Sequence, residues 1–305
     1  MLIPQPSTHP NDPLRWPQWK KHTAFASVCL FTFFNNFSGT VLSDSFFPLS
    51  LLFGVSLNTV SGLLTWVVLT LGISNFFWVP TAIYIGKRPV FVIACGITFI
   101  AAVWAAASQS FNSLQAACIV GGFGGGASEA LGAAIINDLY FLHERGAMMG
   151  VYVIFLCWGS SFGPLIGGYM IQNVGWQWAK GLSAIVLGLN LFMIILFLPE
   201  TRFDRKEIVA ADGDSISDAS SLEKEPKAKA VDGGSEESLP EVAPVGAPQK
   251  KTYKQELSLW SDLYTHATYF QLFWRPIPLL AYPACLFAAL TCKCINPDGV
   301  LPTDR

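Results

Sequence analysis

Charge is scarce in this chain. Only 13% of its 305 residues are Asp, Glu, Lys or Arg, whereas soluble domains carry about 25%. The signs nearly cancel, leaving a net charge of −2 at pH 7, so the chain lacks the basic field that nucleic acid requires. Organised cysteine is missing too. Cys29, Cys95, Cys118 and Cys157 lie in apolar runs, where cysteine behaves as a small hydrophobe. Cys292 and Cys294 stand in a polar tail with no second pair or histidine nearby. Neither a zinc site nor a disulfide framework follows, and no metal or cofactor is expected. No nucleophile stands beside a base in a pattern that suggests an enzyme. A cleavable leader is also lacking: the first 22 residues are polar, so the first apolar helix is expected to direct insertion.

What the chain has is apolar length. Hydrophobic residues make up 52% and mean hydropathy is +0.43, which places it in the membrane class. Six apolar segments, at about 22–42, 60–81, 89–109, 113–137, 147–171 and 180–198, each approach the roughly 20 residues that a spanning helix needs. An all-α six-helix bundle over 22–199 follows, behind a polar lead at 1–21. Lysine and arginine in the short loops set orientation. Arg15, Lys20, Lys21, Lys87, Arg88, Arg145, Arg202, Arg205 and Lys206 fall on one side, and only Lys180 on the other. The N-terminus and the exit of segment six are therefore expected in the cytosol.

Segment five is the organising stretch. Residues 150–168 read GVYVIFLCWGSSFGPLIGG. In a water-soluble helix each glycine costs about 1 kcal/mol and an interior proline about 3. A membrane helix tolerates both, because its neighbours re-satisfy the backbone. Gly159, Gly163 and Gly167 recur every four residues, a face that admits close approach of another helix. Pro164 removes one helical hydrogen bond and permits a bend.

Gly150, Gly159, Gly163-Pro164 and Gly167-Gly168, at this spacing, resemble the antiporter motif in helix five of the major facilitator superfamily. Asp12-Pro13-Leu14-Arg15-Trp16-Pro17-Gln18-Trp19-Lys20-Lys21 is similar to the lead of fungal members, and Leu198-Pro199-Glu200-Thr201-Arg202 to the PET(R/K) exit of span six. The resemblance is to the fungal drug:proton antiporter branch. It implies the amino-terminal half of a twelve-span transporter that moves a small organic solute, with protons, by alternating access. Spans one and four would line the pathway. Spans two and five would face a carboxy-terminal half, whose helix would fill the glycine face. Plasma membrane is the expected location, with the vacuolar membrane second. An uncoupled facilitator, an organic-cation or polyamine importer, and a non-transporting fragment are the alternatives.

Beyond span six, residues 200–254 are Ser-, Glu-, Lys-, Gly- and Pro-rich and read as a disordered cytosolic loop. Residues 255–290 read as an amphipathic lead-in and a partial seventh span. Its apolar part, 277–290, reaches about 21 Å of the ~30 Å hydrocarbon core. The 291–305 tail is polar and out of pattern. A truncated transporter that does not itself transport is the expectation.

Candidate site residues follow from the same reading. Glu129 is a lone acid inside segment four, and an ionisable group in a span marks a solute or proton path by default. Asp44, near the outer end of segment one, and Asn35 and Asn36 within it join the candidate path. The run Gly121-Gly122-Phe123-Gly124-Gly125-Gly126 lacks the preceding strand of a nucleotide loop and reads as a helix with a thin face. Lys87 and Arg88 match the end of the superfamily's loop motif between spans two and three, with Val79 and Ile83 standing where it has glycine and aspartate. Asp138, Glu144 and Arg145 follow span four in an acid-x6-Arg-Gly pattern. These five charges form a candidate gating cluster. Cys118 occupies the position of the superfamily's span-four arginine, which weakens proton coupling by that route.

Overall fold

The structure, a computed structural model, describes residues 12–201. The expected seventh span and tail, and all but the first two residues of the expected 200–254 loop, lie outside the described residues. Every regular element described is helical: α1 (Gln18–Thr40), α2 (Phe46–Phe53), α3 (Leu57–Ile85), α4 (Lys87–Ala107), α5 (Phe111–Leu139), α6 (Leu142–Asn173) and α7 (Trp176–Phe197). Six stretches are long and apolar enough to cross a membrane, α1 and α2 forming one of them.

The breaks between helices are shorter than the sequence suggests. Gly86 alone separates α3 from α4, at φ +121°, a conformation that side-chain-bearing residues rarely adopt. Gly175 opens α7 at φ +109°. Ser56 and Ser110 cap α3 and α5, their hydroxyls accepting from the amides of Thr59 and Ser113, which satisfies donors that the first turn leaves open. Pro80 and Pro164 sit inside continuous helices. α2 lies in the expected loop between segments one and two. Eight residues are too few to display a helical period.

The centre of the bundle is α5, which packs on α4, α3 and α1, while α1 packs on α6 and α7. Its glycines explain this. Successive residues of a helix point about 100° apart, so three consecutive glycines thin three sides at once. A Cβ at Gly124 would lie 2.6 Å from Thr98 Oγ1 and 2.8 Å from Ala94 O of α4. One at Gly125 would overlap Asn35 of α1, and one at Gly126 would overlap Ser74 of α3. The single thin face expected from the sequence is thin on several sides.

Two apolar clusters hold the ends. One surrounds Phe31, Phe91, Ile135, Leu187 and Ile194; the other surrounds Leu49, Leu63, Leu114 and Trp176. At the first end the lead is docked: Asp12 caps Leu14 N, and Lys21 Nζ donates to Leu14 O at 2.9 Å. Tyr140, just past α5, meets His22 Nδ1 at 3.1 Å. Burial pushes its phenol up to about 12, so it stays neutral. On α3, Trp66, Ile73 and Phe76, and on α6, Trp158, Leu165 and Tyr169, are exposed.

Candidate functional site

Inside the bundle a cavity of about 200 Å³ opens between α1, α3, α4, α5 and α7. Leu64, Val67, Val68, Leu71 and Ala101 give it apolar walls, and Asn35, Asn36, Ser38, Thr98, Glu129 and Lys180 supply polarity. Asn35 is buried, its Nδ2 3.4 Å from both Gly125 O and Ser128 Oγ. Asn36 Nδ2 donates to Thr32 O at 3.0 Å, and Asn36 lines the cavity together with Glu129. Tyr152 of α6 donates to Ser128 O at 2.9 Å. Close glycine packing thus brings Asn35, Asn36 and Glu129 together at one wall.

Asp44 stands apart. It is exposed in a short 3-10 turn after α1, near Gly168 of α6, and does not line the cavity. In its place the structure supplies a residue that sequence reasoning set at the first position of segment six and counted only as an orienting charge. Lys180 lies within α7, 4% exposed, and its Nζ donates to Ser38 O at 2.6 Å. The signal was Gly175: a helix starting just after it buries a residue five positions on. Cys118 of α5 lines the same cavity.

The charged residues gather at the opposite end of the bundle. Lys87 Nζ lies 2.5 Å from Asp138 Oδ2 and donates to Ala134 O, joining the start of α4 to the last turn of α5. Arg88 donates to Ile195 O of α7 at 2.9 Å. Glu200, unassigned by sequence reasoning, accepts from the backbone amides of Lys87 at 3.1 Å and Arg88 at 3.2 Å. A carboxylate at a helix N-terminus satisfies open donors and faces the positive end of the dipole. Arg145 donates to Tyr140 O and Asn137 O, binding the end of α5 rather than an acid. Glu144 lies 3.8 Å from His143 Nε2. Of the five expected charges, Lys87 pairs with Asp138 and Arg145 clasps the end of α5, while Glu200 adds contacts to the amides of Lys87 and Arg88.

The glycine motif of α6 also has a definite neighbour. A Cβ at Gly159 would overlap Phe33 O, one at Gly163 Thr40 Oγ1, and one at Gly167 Val41 O. All three partners belong to α1 or its C-cap. The expectation that a second half would fill this face is corrected: α1 of the same bundle fills it. Gly150 meets nothing within 4 Å, and Gly168 only Asp44 at ordinary contact distance. Pro164 is half-buried within the unbroken α6.

Comparison with known proteins decides the family. The Major Facilitator Superfamily profile matches residues 25–295. This chain belongs to the Major Facilitator Superfamily. Among superfamily relatives, Protein HOL1 of Saccharomyces cerevisiae is 29% identical over 208 residues, 67% of this chain and 35% of that protein. Citrate exporter 1 of Aspergillus niger is 26% identical, covering 66% of this chain and 39% of its own length. The cycloheximide resistance protein of Candida maltosa is 27% identical, covering 63% and 36%. The chain thus spans little more than a third of the length of the relatives it matches. The solved peptide transporter POT in complex with sulfate superposes with a TM-score of 0.53 at 14% identity, covering 67% of this chain and 44% of that one. The proton:xylose symporter XylE gives 0.51 at 18%, covering 61% and 46%. These likenesses show the fold: the described helices have the arrangement of the amino-terminal half of the superfamily fold, in a multi-pass membrane protein. In the superfamily loop motif, Ile83 is 43% exposed where the aspartate would stand, and the acids beside Lys87 and Arg88 are Asp138 and Glu200.

Proposed function

We propose that this chain, together with a second six-helix half, moves a small organic solute across a membrane by alternating access, and that Glu129 carries the coupled proton. The observation that carries the reading is Glu129, a half-buried carboxylate at the cavity wall with Asn35 and Asn36. A carboxylate there has no ion pair among the described residues, so it can accept and release a proton as the cavity changes access. Glycine contacts between α1 and α6 and around α5 make a stiff unit, suited to rocking as one body. The Lys87–Asp138 and Glu200 contacts are a candidate latch at one end of it. Lysine and arginine crowd that end, and the described loops at the other end hold neither, which supports a cytosolic N-terminus. Plasma membrane remains the favoured location, vacuolar membrane the second.

The test is Glu129→Gln in the chain completed by a carboxy-terminal half, with flux of citrate, cycloheximide and spermidine measured in proteoliposomes under an imposed pH gradient. The expected result is normal membrane abundance with loss of the pH-driven component. Flux that keeps its pH dependence refutes Glu129 as the proton carrier; no flux of any probe above empty vesicles counts against the transport reading. One observation favours uncoupled facilitation in the same fold: Cys118 lines the cavity where the superfamily motif has arginine. Wild-type flux indifferent to the gradient would select that reading.

A further inference from the structure

The cavity's second charge has no part in the reading above. Lys180 reaches it from α7, and its only hydrogen-bond partner among the described residues is Ser38 O. That carbonyl lies in the last turn of α1, where backbone acceptors are open and the helix dipole is negative. Helix capping therefore accounts for part of the placement. It uses one of three N–H donors of the ammonium, and a main-chain carbonyl does not neutralise a full charge. No Asp or Glu of the described residues pairs with Lys180. The cavity carboxylate, Glu129 of α5, lines the same cavity without an ion pair to Lys180. Cys118 of α5, which lines the same cavity, is neutral and offers the ammonium no counter-charge. With Asp44 outside, the cavity holds one base and one acid, where the sequence suggested two acids.

We propose that Lys180 is a specificity-determining residue of the solute site: its ammonium receives an acidic group, so the site takes solutes bearing a carboxylate or a similar anionic head. This rests on the reading of the cavity as the solute site. An anion entering the cavity gains the counter-charge that a buried ammonium favours and the donors it has spare. A solute with positive charge alone meets like charge at Lys180, which disfavours the organic-cation alternative.

The test needs no transport. The full chain in lipid nanodiscs is treated with two thiol reagents of similar size, the anionic sulfonatoethyl and the cationic trimethylammonioethyl methanethiosulfonates. Modification at Cys118 and at exposed Cys157 is followed by peptide mass spectrometry, and rates are normalised to a free thiol. The expected result is a preference for the anionic reagent at Cys118 of about ten-fold, the scale on which a charged low-dielectric cleft concentrates counter-ions. Lys180→Arg should keep that preference and Lys180→Met abolish it, with Cys157 unchanged throughout. Equal ratios at Cys118 in wild type and Lys180→Met would overturn the proposal, since a purely structural cap does not sort reagents by charge. A second measurement holds even if Lys180→Met does not fold. In wild type, 3-phenylpropionate should protect Cys118 and phenethylamine should not; protection by phenethylamine, or by neither, would overturn it. Because no flux is measured, failure here is distinct from failure of the transport reading, which the Glu129→Gln experiment decides.

Discussion

Gly163 of α6 lies against Thr40 of α1 with no room for a methyl group between them. The contact is internal to the six-helix half, so its loss should appear first as lost stability. Gly163→Leu is expected to lower the thermal unfolding midpoint and the yield of purified protein, since forcing atoms into a packed interface costs about 1–3 kcal/mol. Gly150→Leu, in the same motif but facing open space, should leave both unchanged. Equal behaviour of the two variants would remove the packing argument.

Lys87 and Asp138 are partly shielded, their side chains 17% and 27% exposed. A double-mutant cycle with Lys87→Met and Asp138→Asn, read by denaturation of the four proteins in detergent, should give a coupling of about 1 kcal/mol. In a transporting context the same variants should raise basal leak if the pair acts as a latch. Zero coupling makes the pair incidental.

Gly86 and Glu200 are linked in a way that non-additivity can reveal. Glu200→Ala removes the side-chain acceptor at the start of α4, a loss of about 1 kcal/mol for a helix cap. Gly86→Ala adds backbone strain at φ +121° and places a Cβ 2.7 Å from Glu200 Oε2. Removing Glu200 relieves the overlap and leaves the strain. The double variant should therefore be more stable than the sum of the single losses predicts. Strict additivity would show that the overlap has no energetic weight.

Asp44 and Glu129 are both acids near α1, but only Glu129 lines the cavity. Asp44→Asn should accordingly leave the pH profile of flux as it is, while Glu129→Gln flattens it. The comparison is made in the same proteoliposomes, and a flattened profile in Asp44→Asn would place the proton route along the outer face near Gly168.

Much of the architecture was readable without coordinates, because bilayer length and hydropathy act locally along the chain. Six apolar segments became six spanning stretches, with ends displaced by a few residues where Gly86, Gly175 and the serine caps set the true boundaries. The glycine spacing of segment five correctly marked a close-approach face, and the family motifs named the fold. Glu129, Asn35 and Asn36 were singled out as polar residues in apolar runs, and the structure places them at one wall.

Partners were another matter. A four-residue glycine period says that a backbone comes close but not which one, and only packing showed that α1 fills the face. Consecutive glycines in α5 thin several sides of a helix, which a one-face reading of the pattern cannot express. Lys180, at the edge of segment six, was counted only as an orienting charge, because charge near an apolar boundary is assigned outward by default. Its burial depends on Ser38 O, 142 residues earlier in the chain. Glu200 gained its role from the amides of Lys87 and Arg88, more than a hundred residues away. Hydropathy and glycine period are properties of neighbouring residues, so the sequence carries them by itself. Which charge meets which dipole depends on how helices cross, and that is decided only when the bundle closes.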